Sequence, residues 1–141
     1  MEEFGIGSFD MIRALSPFPG LGATGRTCGA VTGGLLCLGL YFGKDDLMDY
    51  SANSRATRPA RVFLARFEET LGSLECRDIQ ELLLGRFFDP REGKEVGEAF
   101  ARAGGFEKCT VIAGIGARIA SELIIDDMER TQSATQPATP R

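Results

Sequence analysis

The chain has 141 residues, 26% of them charged, and a formal net charge of -4. This length fits one domain, and the acidic balance argues against nucleic acid as the main partner because phosphate binding needs a basic surface. The sequence contains no histidine, which excludes Ser–His–Asp and Cys–His catalytic sites and any zinc site with an imidazole ligand. Carboxylates, lysines, tyrosines and thiols remain as groups that can carry chemistry.

The N-terminal stretch predicts a short helix between loops. Gly5 has the setting of a left-handed helix cap. Ser8 can cap a helix of about residues 9–15. The apolar side chains that we expect to point into the core are Met11, Ile12 and Leu15.

The charge of the N-terminus and the use of cysteine favour a reducing compartment. Glu2, Glu3 and Asp10 stand where a secretory signal carries positive charge, so we expect a cytoplasmic location. The four cysteines are then more often reactive, metal-bound or buried than joined in structural disulfides.

A glycine-rich run, GRTCGAVTGGLLCLGLYFG, covers residues 25–43 and carries Cys28 near its start. The run predicts a helix of about residues 28–42 with Thr27 as its N-cap. Its uncharged part is shorter than the roughly 20 residues that span a bilayer. We therefore expect a buried core helix and no membrane span.

Small residues recur at every fourth position of this helix, at Gly29, Gly33 and Cys37. Such a stripe lets another helix approach closely, and Cys37 fits it as a small buried hydrophobe. On a continuous helix Cys28 and Cys37 lie about 13 Å apart along the axis. They therefore cannot form a disulfide, which needs Cα atoms within about 7 Å.

Two further helices follow a polar connection. The first opens at Thr57, with Pro59 in its first turn, and ends at Gly72. Ser73 caps the second, which ends at Gly85. The apolar face of the first of these helices consists of Phe63, Phe67 and Leu71.

The longest helix is predicted over about residues 107–130, after a weak helix that begins at Lys94. The residues on its broad apolar face are Val111, Ile112, Ile115, Ile119, Leu123 and Ile124. The tail of residues 131–141 has no large apolar side chain, and we expect it to be disordered. No segment alternates with a period of two, so the predicted fold class is all-α. We expect a compact single-domain bundle of five to six helices over residues 1–130.

The other three cysteines, Cys28, Cys76 and Cys109, all lie at predicted helix starts, and each has a basic neighbour. Those neighbours are Arg26, Arg77 and Lys108. The positive partial charge of a helix N-terminus lowers the pKa of a cysteine and favours the thiolate, although Glu75 and Glu107 oppose this effect. Two interpretations of these cysteines remain open at this point: reactive thiols and inert buried side chains.

The motif CGAVTG at residues 28–33, with LGSLECRDI around Cys76 and KC at Cys109, resembles the bacterial C_GCAxxG_C_C family of redox-active proteins. The resemblance covers residues 1 to about 128. It implies that Cys28, Cys76 and Cys109 correspond to three of the family's four cysteines, whereas Cys37 matches none. The motif is completed by Gly29, Ala30 and Gly33. The resemblance also places the fourth cysteine upstream of residue 1, which would make the chain an N-terminally truncated member.

Redox or metal chemistry is what this resemblance implies. Our first hypothesis is a redox-active cysteine protein in which Cys28, Cys76 and Cys109 are the catalytic thiols and exchange disulfides or carry electrons. We expect the bundle to gather their sulfurs in one electropositive pocket. The alternative is that the same three cysteines ligate a metal ion or an iron–sulfur cluster, although no pair has the short C-x-x-C spacing common in such sites.

A third hypothesis is a non-catalytic helical interaction module. Its anionic partner would dock on the basic cluster of Arg55, Arg58, Arg61 and Arg66, for which a solvated helix face is the simpler interpretation. For the redox hypothesis the expected partners are a redox protein and, in a homo-oligomer, a second copy of the chain. Nucleic acid is not expected as a partner.

Overall fold

The computed structural model describes residues 4–135. Within this range the chain forms seven helices and no β-strand, which confirms the all-α fold class. In chain order they are α1 (Phe9–Ala14), α2 (Gly20–Ala23), α3 (Gly29–Phe42), α4 (Asn53–Leu71), α5 (Cys76–Leu84), α6 (Lys94–Arg102) and α7 (Gly105–Thr135). Two short 3₁₀ turns, Tyr50–Ala52 and Pro90–Glu92, lie in the connections.

The hydrophobic core forms where α3, α4 and α7 pack together. Its largest fully buried side chains are Val31, Leu38, Phe63, Phe67, Ile119 and Ile124. Each stabilises the fold by about 1.5–3 kcal/mol through removal of apolar surface from water. These three helices therefore form the frame on which the cysteines are placed.

Close approach between the core helices depends on glycine, but not on the predicted stripe. Gly34 of α3 lies directly against the ring of Phe63 from α4. Gly116 of α7 lies so close to α3 that an added Cβ would be 2.9 Å from the carbonyl oxygen of Ala30. Gly33 has no atom within 4 Å of an added Cβ, so the predicted stripe of Gly29, Gly33 and Cys37 is wrong as a helix contact.

The N-terminal helix differs from its prediction. No residue of α1 is buried, and Met11 and Ile12 are 36% and 51% exposed. A cavity of about 790 Å³ is lined by Ile12 and Leu15 together with Gly33 and Leu36 of α3. The inward orientation predicted for Met11 and Ile12 is therefore wrong, whereas Gly5 does adopt the left-handed conformation, with φ of 62°.

The helix α4 begins at Asn53, four residues before the predicted start at Thr57. The carboxylate of Asp49 accepts the N–H groups of Ser51 and Ala52 and caps the 3₁₀ turn that leads directly into α4. The predicted end is confirmed, because Gly72 is a left-handed C-cap with φ of 78°. The predicted apolar face is also confirmed, since Phe63, Phe67 and Leu71 are buried.

The long helix α7 begins earlier and ends later than predicted. Its first residue is Gly105, so Cys109 is the fifth residue of the helix and does not open it. Val111 is 64% exposed and does not belong to the apolar face. The helix continues to Thr135, five residues into the segment predicted to be disordered, and residues 136–141 lie outside the described residues.

In the part of the chain that the structure describes, no helix combines the length and the apolar character needed to cross a membrane. The helix α3, which carries the uncharged run, has 14 residues. Its four buried residues, Val31, Gly34, Leu38 and Phe42, form part of the protein core.

Two neighbouring glycines of α3 provide a matched test of this packing. Gly34→Ala places a methyl group against the fully buried ring of Phe63, so we expect the free energy of unfolding to fall by about 1–3 kcal/mol. Gly33→Ala meets open space and should raise it by about 0.5–1 kcal/mol through helix propensity. Urea unfolding of the two variants measures both values. Equal stability of the two variants would contradict this packing.

Candidate functional site

An isolated antiparallel bridge joins the starts of α3 and α5. Thr27 pairs with Glu75, and Thr27 Oγ1 donates a hydrogen bond to Glu75 Oε1 at 3.3 Å. On either side of this pair, the N–H of Cys28 donates to Leu74 O and the N–H of Cys76 donates to Arg26 O, both at 2.8 Å. Two segments that are nearly fifty residues apart in sequence are thereby fixed side by side.

This bridge places Cys28 and Cys76 on the same face. Each cysteine directly follows one of the two paired residues, and side chains alternate between the faces of a paired segment. The two are therefore diagonal neighbours, whose Cα atoms lie roughly 7–8 Å apart in a regular antiparallel pair. Cys28 is the N-cap of α3, a position predicted for Thr27, whose side chain contacts Glu75 instead.

Cys76 is the first residue of α5, one position after the N-cap Glu75. Ser73, the predicted cap, lies just outside the helix, where its Oγ accepts the N–H of Glu75 and donates to Asp78. The predicted end of α5 at Gly85 is confirmed. Cys76 occupies the first helical position, and its side chain lies beside the bridge and close to Gly20 of α2.

The thiol of Cys76 has two close neighbours. Gln80, one helical turn later, donates a hydrogen bond from Nε2 to the sulfur at 3.4 Å and accepts the N–H of Phe88 on Oε1 at 3.1 Å. The second neighbour is Gly20, the first residue of α2, where an added Cβ would lie 3.4 Å from the sulfur. The φ of Gly20 is 61°, a conformation that favours glycine. The amide of Gln80 thus has a fixed orientation towards the thiol.

Cys76 and Cys109 line the same cavity, which has a volume of about 390 Å³. Four phenylalanines form much of its wall: Phe87, Phe88, Phe100 and Phe106. Phe100 contacts both Phe88 and Phe106 edge to face, with ring centroids 5.8 and 5.1 Å apart. The connection after α5, the helix α6 and the first turns of α7 together build this aromatic wall.

Burial raises the pKa of all three thiols above the ordinary value, and it is the largest cause in each case. For Cys28 the N–H groups of Ala30 and Val31 act in the opposite direction, and for Cys76 the hydrogen bond from Gln80 does so. The charge of Cys28 also raises the pKa of Cys76, and the charges of Cys76 and Cys28 raise that of Cys109. Cys76 and Cys109 therefore each respond to the charge of another cysteine of this group.

The lowered pKa values and the electropositive pocket expected from the sequence are thus wrong. Two of the three basic neighbours of the cysteines have partners elsewhere: Lys108 Nζ donates to Leu83 O at 2.7 Å, and the Arg77 guanidinium lies 4.2 Å from the centre of the Phe87 ring. The wall of the shared cavity is aromatic rather than cationic. Desolvation therefore outweighs the positive end of the helices at these positions.

Cys37 lies apart from this site. It is half-buried and lines the larger cavity between α1 and α3, together with Gly33 and Leu36. It is also packed against the hydrophobic core. This placement agrees with the packing role expected for Cys37, although its neighbours differ from those predicted.

Arginines of the basic cluster predicted as a docking surface contact other parts of the fold. Arg55 donates to the carbonyl oxygens of Phe42 and Gly43 at the end of α3, at 3.1 and 2.6 Å. Arg66 forms an ion pair with Glu122 of α7. Two of the four arginines are thus engaged within the fold.

Neither Gln80 nor the aromatic wall was predicted from the sequence as part of the site. A spacing of four residues from Cys76 is the one signal for Gln80, because residues i and i+4 are neighbours on a helix. The phenylalanines are spread over three segments, and no local pattern brings them together.

The ligand set predicted for a metal consists of the same three cysteines. Among residues 4–135, no group of three or more Cys, Asp or Glu side chains is placed so that it could hold a metal ion. The metal-binding alternative therefore draws no support from this part of the chain.

The role of Gln80 can be tested with a nearly isosteric change. Gln80→Glu keeps the oxygen that accepts the Phe88 N–H but replaces the donor to Cys76 by a carboxylate oxygen, so we expect the pKa of Cys76 to rise. Each unit of increase lowers the thiolate fraction at neutral pH by about tenfold. Alkylation of Cys76 by iodoacetamide, followed by mass spectrometry from neutral to alkaline pH, should show slower reaction at neutral pH and an alkaline plateau that is not lowered.

The matched control is Glu81→Gln, which changes an exposed neighbour on α5. It should leave the pH profile of Cys76 unchanged. Identical profiles for Gln80→Glu and the unmodified chain would show that Gln80 does not position or charge-stabilise the thiol.

Comparisons with known proteins identify the family of this chain. Neither a curated protein nor a solved structure matches it. The model of the family described as "Putative redox-active protein (C_GCAxxG_C_C)" matches residues 1–123. This match includes Cys28, Cys76 and Cys109, and it confirms the resemblance carried by the CGAVTG motif. The chain belongs to the C_GCAxxG_C_C family.

Proposed function

We propose that Cys28, Cys76 and Cys109 form one site for thiol–disulfide redox chemistry. The observation that carries this proposal is the Thr27–Glu75 bridge, which fixes Cys28 and Cys76 on one face at two helix starts. The family description as redox-active supports the class of chemistry.

The reaction is a two-electron exchange between a dithiol and a disulfide. A thiolate of the chain attacks one sulfur of a partner disulfide, whose S–S bond breaks and releases one partner thiolate. A second cysteine of the chain then attacks the mixed disulfide and releases the other partner thiolate, and each released thiolate takes up a proton. The chain becomes oxidised to an internal disulfide while the partner is reduced to two thiols.

Cys28 and Cys76 are the pair best placed to close such a disulfide. Diagonal neighbours are separated by slightly more than the Cα distance of up to about 6.8 Å that disulfides usually show. Closure therefore requires a small movement of one helix start. Cys109 is the most exposed of the three, so it is the thiol that a large partner reaches first.

The raised pKa values give this chemistry a definite pH dependence. A thiol whose pKa is raised remains protonated at neutral pH, and its thiolate fraction becomes substantial only above the ordinary cysteine value of about 8.5. The few thiolates present are stronger nucleophiles, because nucleophilicity increases with pKa. Exchange should therefore accelerate towards alkaline pH.

Mild oxidation tests the proposal directly. We expect diamide, a small uncharged oxidant, to convert two of Cys28, Cys76 and Cys109 into an internal disulfide while Cys37 stays reduced. Peptide mapping by mass spectrometry without reductant identifies the pair. Cys37→Ser is the matched control, because Cys37 lines a different cavity, and it should be oxidised in the same way as the unmodified chain.

Two results would contradict this function. One is oxidation confined to Cys37 or to bridges between chains. The other is a stoichiometric metal content, by elemental analysis of protein purified without oxygen, that disappears in Cys28→Ser, Cys76→Ser and Cys109→Ser. The second result would establish the metal-binding alternative.

A further inference from the structure

The cavity shared by Cys76 and Cys109 indicates which molecules reach these thiols. We propose that it binds an uncharged, apolar disulfide of low molecular weight and presents that disulfide to Cys76 or Cys109. This inference rests on the proposed thiol–disulfide function and adds the class of substrate.

The lining of the cavity favours an apolar ligand. No charged side chain occurs among its lining residues, all of which lie in the described part of the chain. Besides the four phenylalanines, the wall includes Pro19, Pro90 and Val96. A volume of about 390 Å³ lies within the range of roughly 300–1,000 Å³ that is typical of small-molecule sites.

The cations and the amide near the cavity are already engaged. The guanidinium groups of Arg77 and Arg86 lie over the rings of Phe87 and Phe88, at 4.2 and 4.9 Å from the ring centres. The side-chain nitrogen of Gln80 donates a hydrogen bond to the Cys76 sulfur, and its oxygen accepts one from the N–H of Phe88. Neither arginine lines the cavity, so a ligand carboxylate would meet no cation among the lining residues, and desolvation of an unpaired charge is costly.

The two thiols that line the cavity determine how the bound disulfide reacts. A thiolate of Cys76 or Cys109 attacks the nearer sulfur, the ligand S–S bond breaks, and half of the ligand leaves as a thiolate that takes up a proton. The chain then carries a mixed disulfide with the other half. Attack by a second cysteine of the site releases that half as a thiol, and a dithiol of the redox partner protein returns the chain to its reduced state.

Two aromatic disulfides that differ in charge provide the test. Dithiodipyridine is uncharged, whereas dithiobis(nitrobenzoate) carries two carboxylates. We compare their reaction rates at Cys76 and Cys109 in the folded Cys37→Ser protein with those in the same chain unfolded in guanidinium, which corrects for intrinsic reactivity. Folding should shift the rate ratio towards the uncharged reagent by about tenfold or more, because the anion pays an uncompensated desolvation cost.

Two substitutions link this preference to the cavity. Val96→Lys brings an ammonium group to the wall and should remove the preference, whereas Val62→Lys, at an exposed position of α4, should retain it. Phe106→Ala shortens the aromatic wall at a side chain that is 64% exposed, so the fold does not depend on it, and it should slow the uncharged reagent selectively. An unshifted ratio in the folded protein, or a preference retained in both cavity variants, would overturn the inference.

Binding without chemistry separates this inference from the proposed function. Dipyridyl sulfide has a similar shape but no S–S bond, and in an NMR titration it should perturb the signals of Val96 and Phe100 in the unmodified chain. Perturbation at these residues would support the cavity as an apolar site even if diamide left all three thiols reduced. No perturbation at these residues would overturn the inference even if diamide formed the internal disulfide.

Discussion

The pairing between residues 25–28 and 74–77 is the constraint on which the site depends. Three backbone hydrogen bonds and the Thr27–Glu75 bridge hold these segments together. The helix α5 buries only Ile79, so core packing alone fixes it weakly. The pairing therefore sets where α5 begins, and with it the position of Cys76 relative to Cys28.

Burial and the positive end of a helix have opposite effects on the pKa of a thiol at this site, and the effect of burial is larger. A helix N-terminus stabilises a nearby negative charge by about 0.3–1 kcal/mol, whereas desolvation of a buried group shifts its pKa by up to several units. The raised pKa values of Cys28, Cys76 and Cys109 follow from this difference. For the half-buried thiols of Cys28 and Cys76, this setting favours the protonated form.

Local patterns in the sequence predicted most of the helices but located several of their starts incorrectly. Glycines in left-handed caps, such as Gly72 and Gly85, mark helix ends by a property of the residue itself. The starts of α3 at Gly29 and of α4 at Asn53 depend on the hydrogen-bond partners that neighbouring segments provide. The candidate cysteines were found through the family motif, whereas Gln80 and the aromatic wall carried no comparable signal.

The sequence by itself determined the all-α class, the buried face of α4, the family and the three cysteines that match its motif, because these follow from periodicity and residue identity along the chain. Only the tertiary structure decided that Cys28 and Cys76 share a face, that Cys76 and Cys109 share a cavity, and that Lys108 and Arg77 point elsewhere. The physical reason is that desolvation and pairing between distant segments depend on which surfaces meet, and no local stretch of residues contains that information.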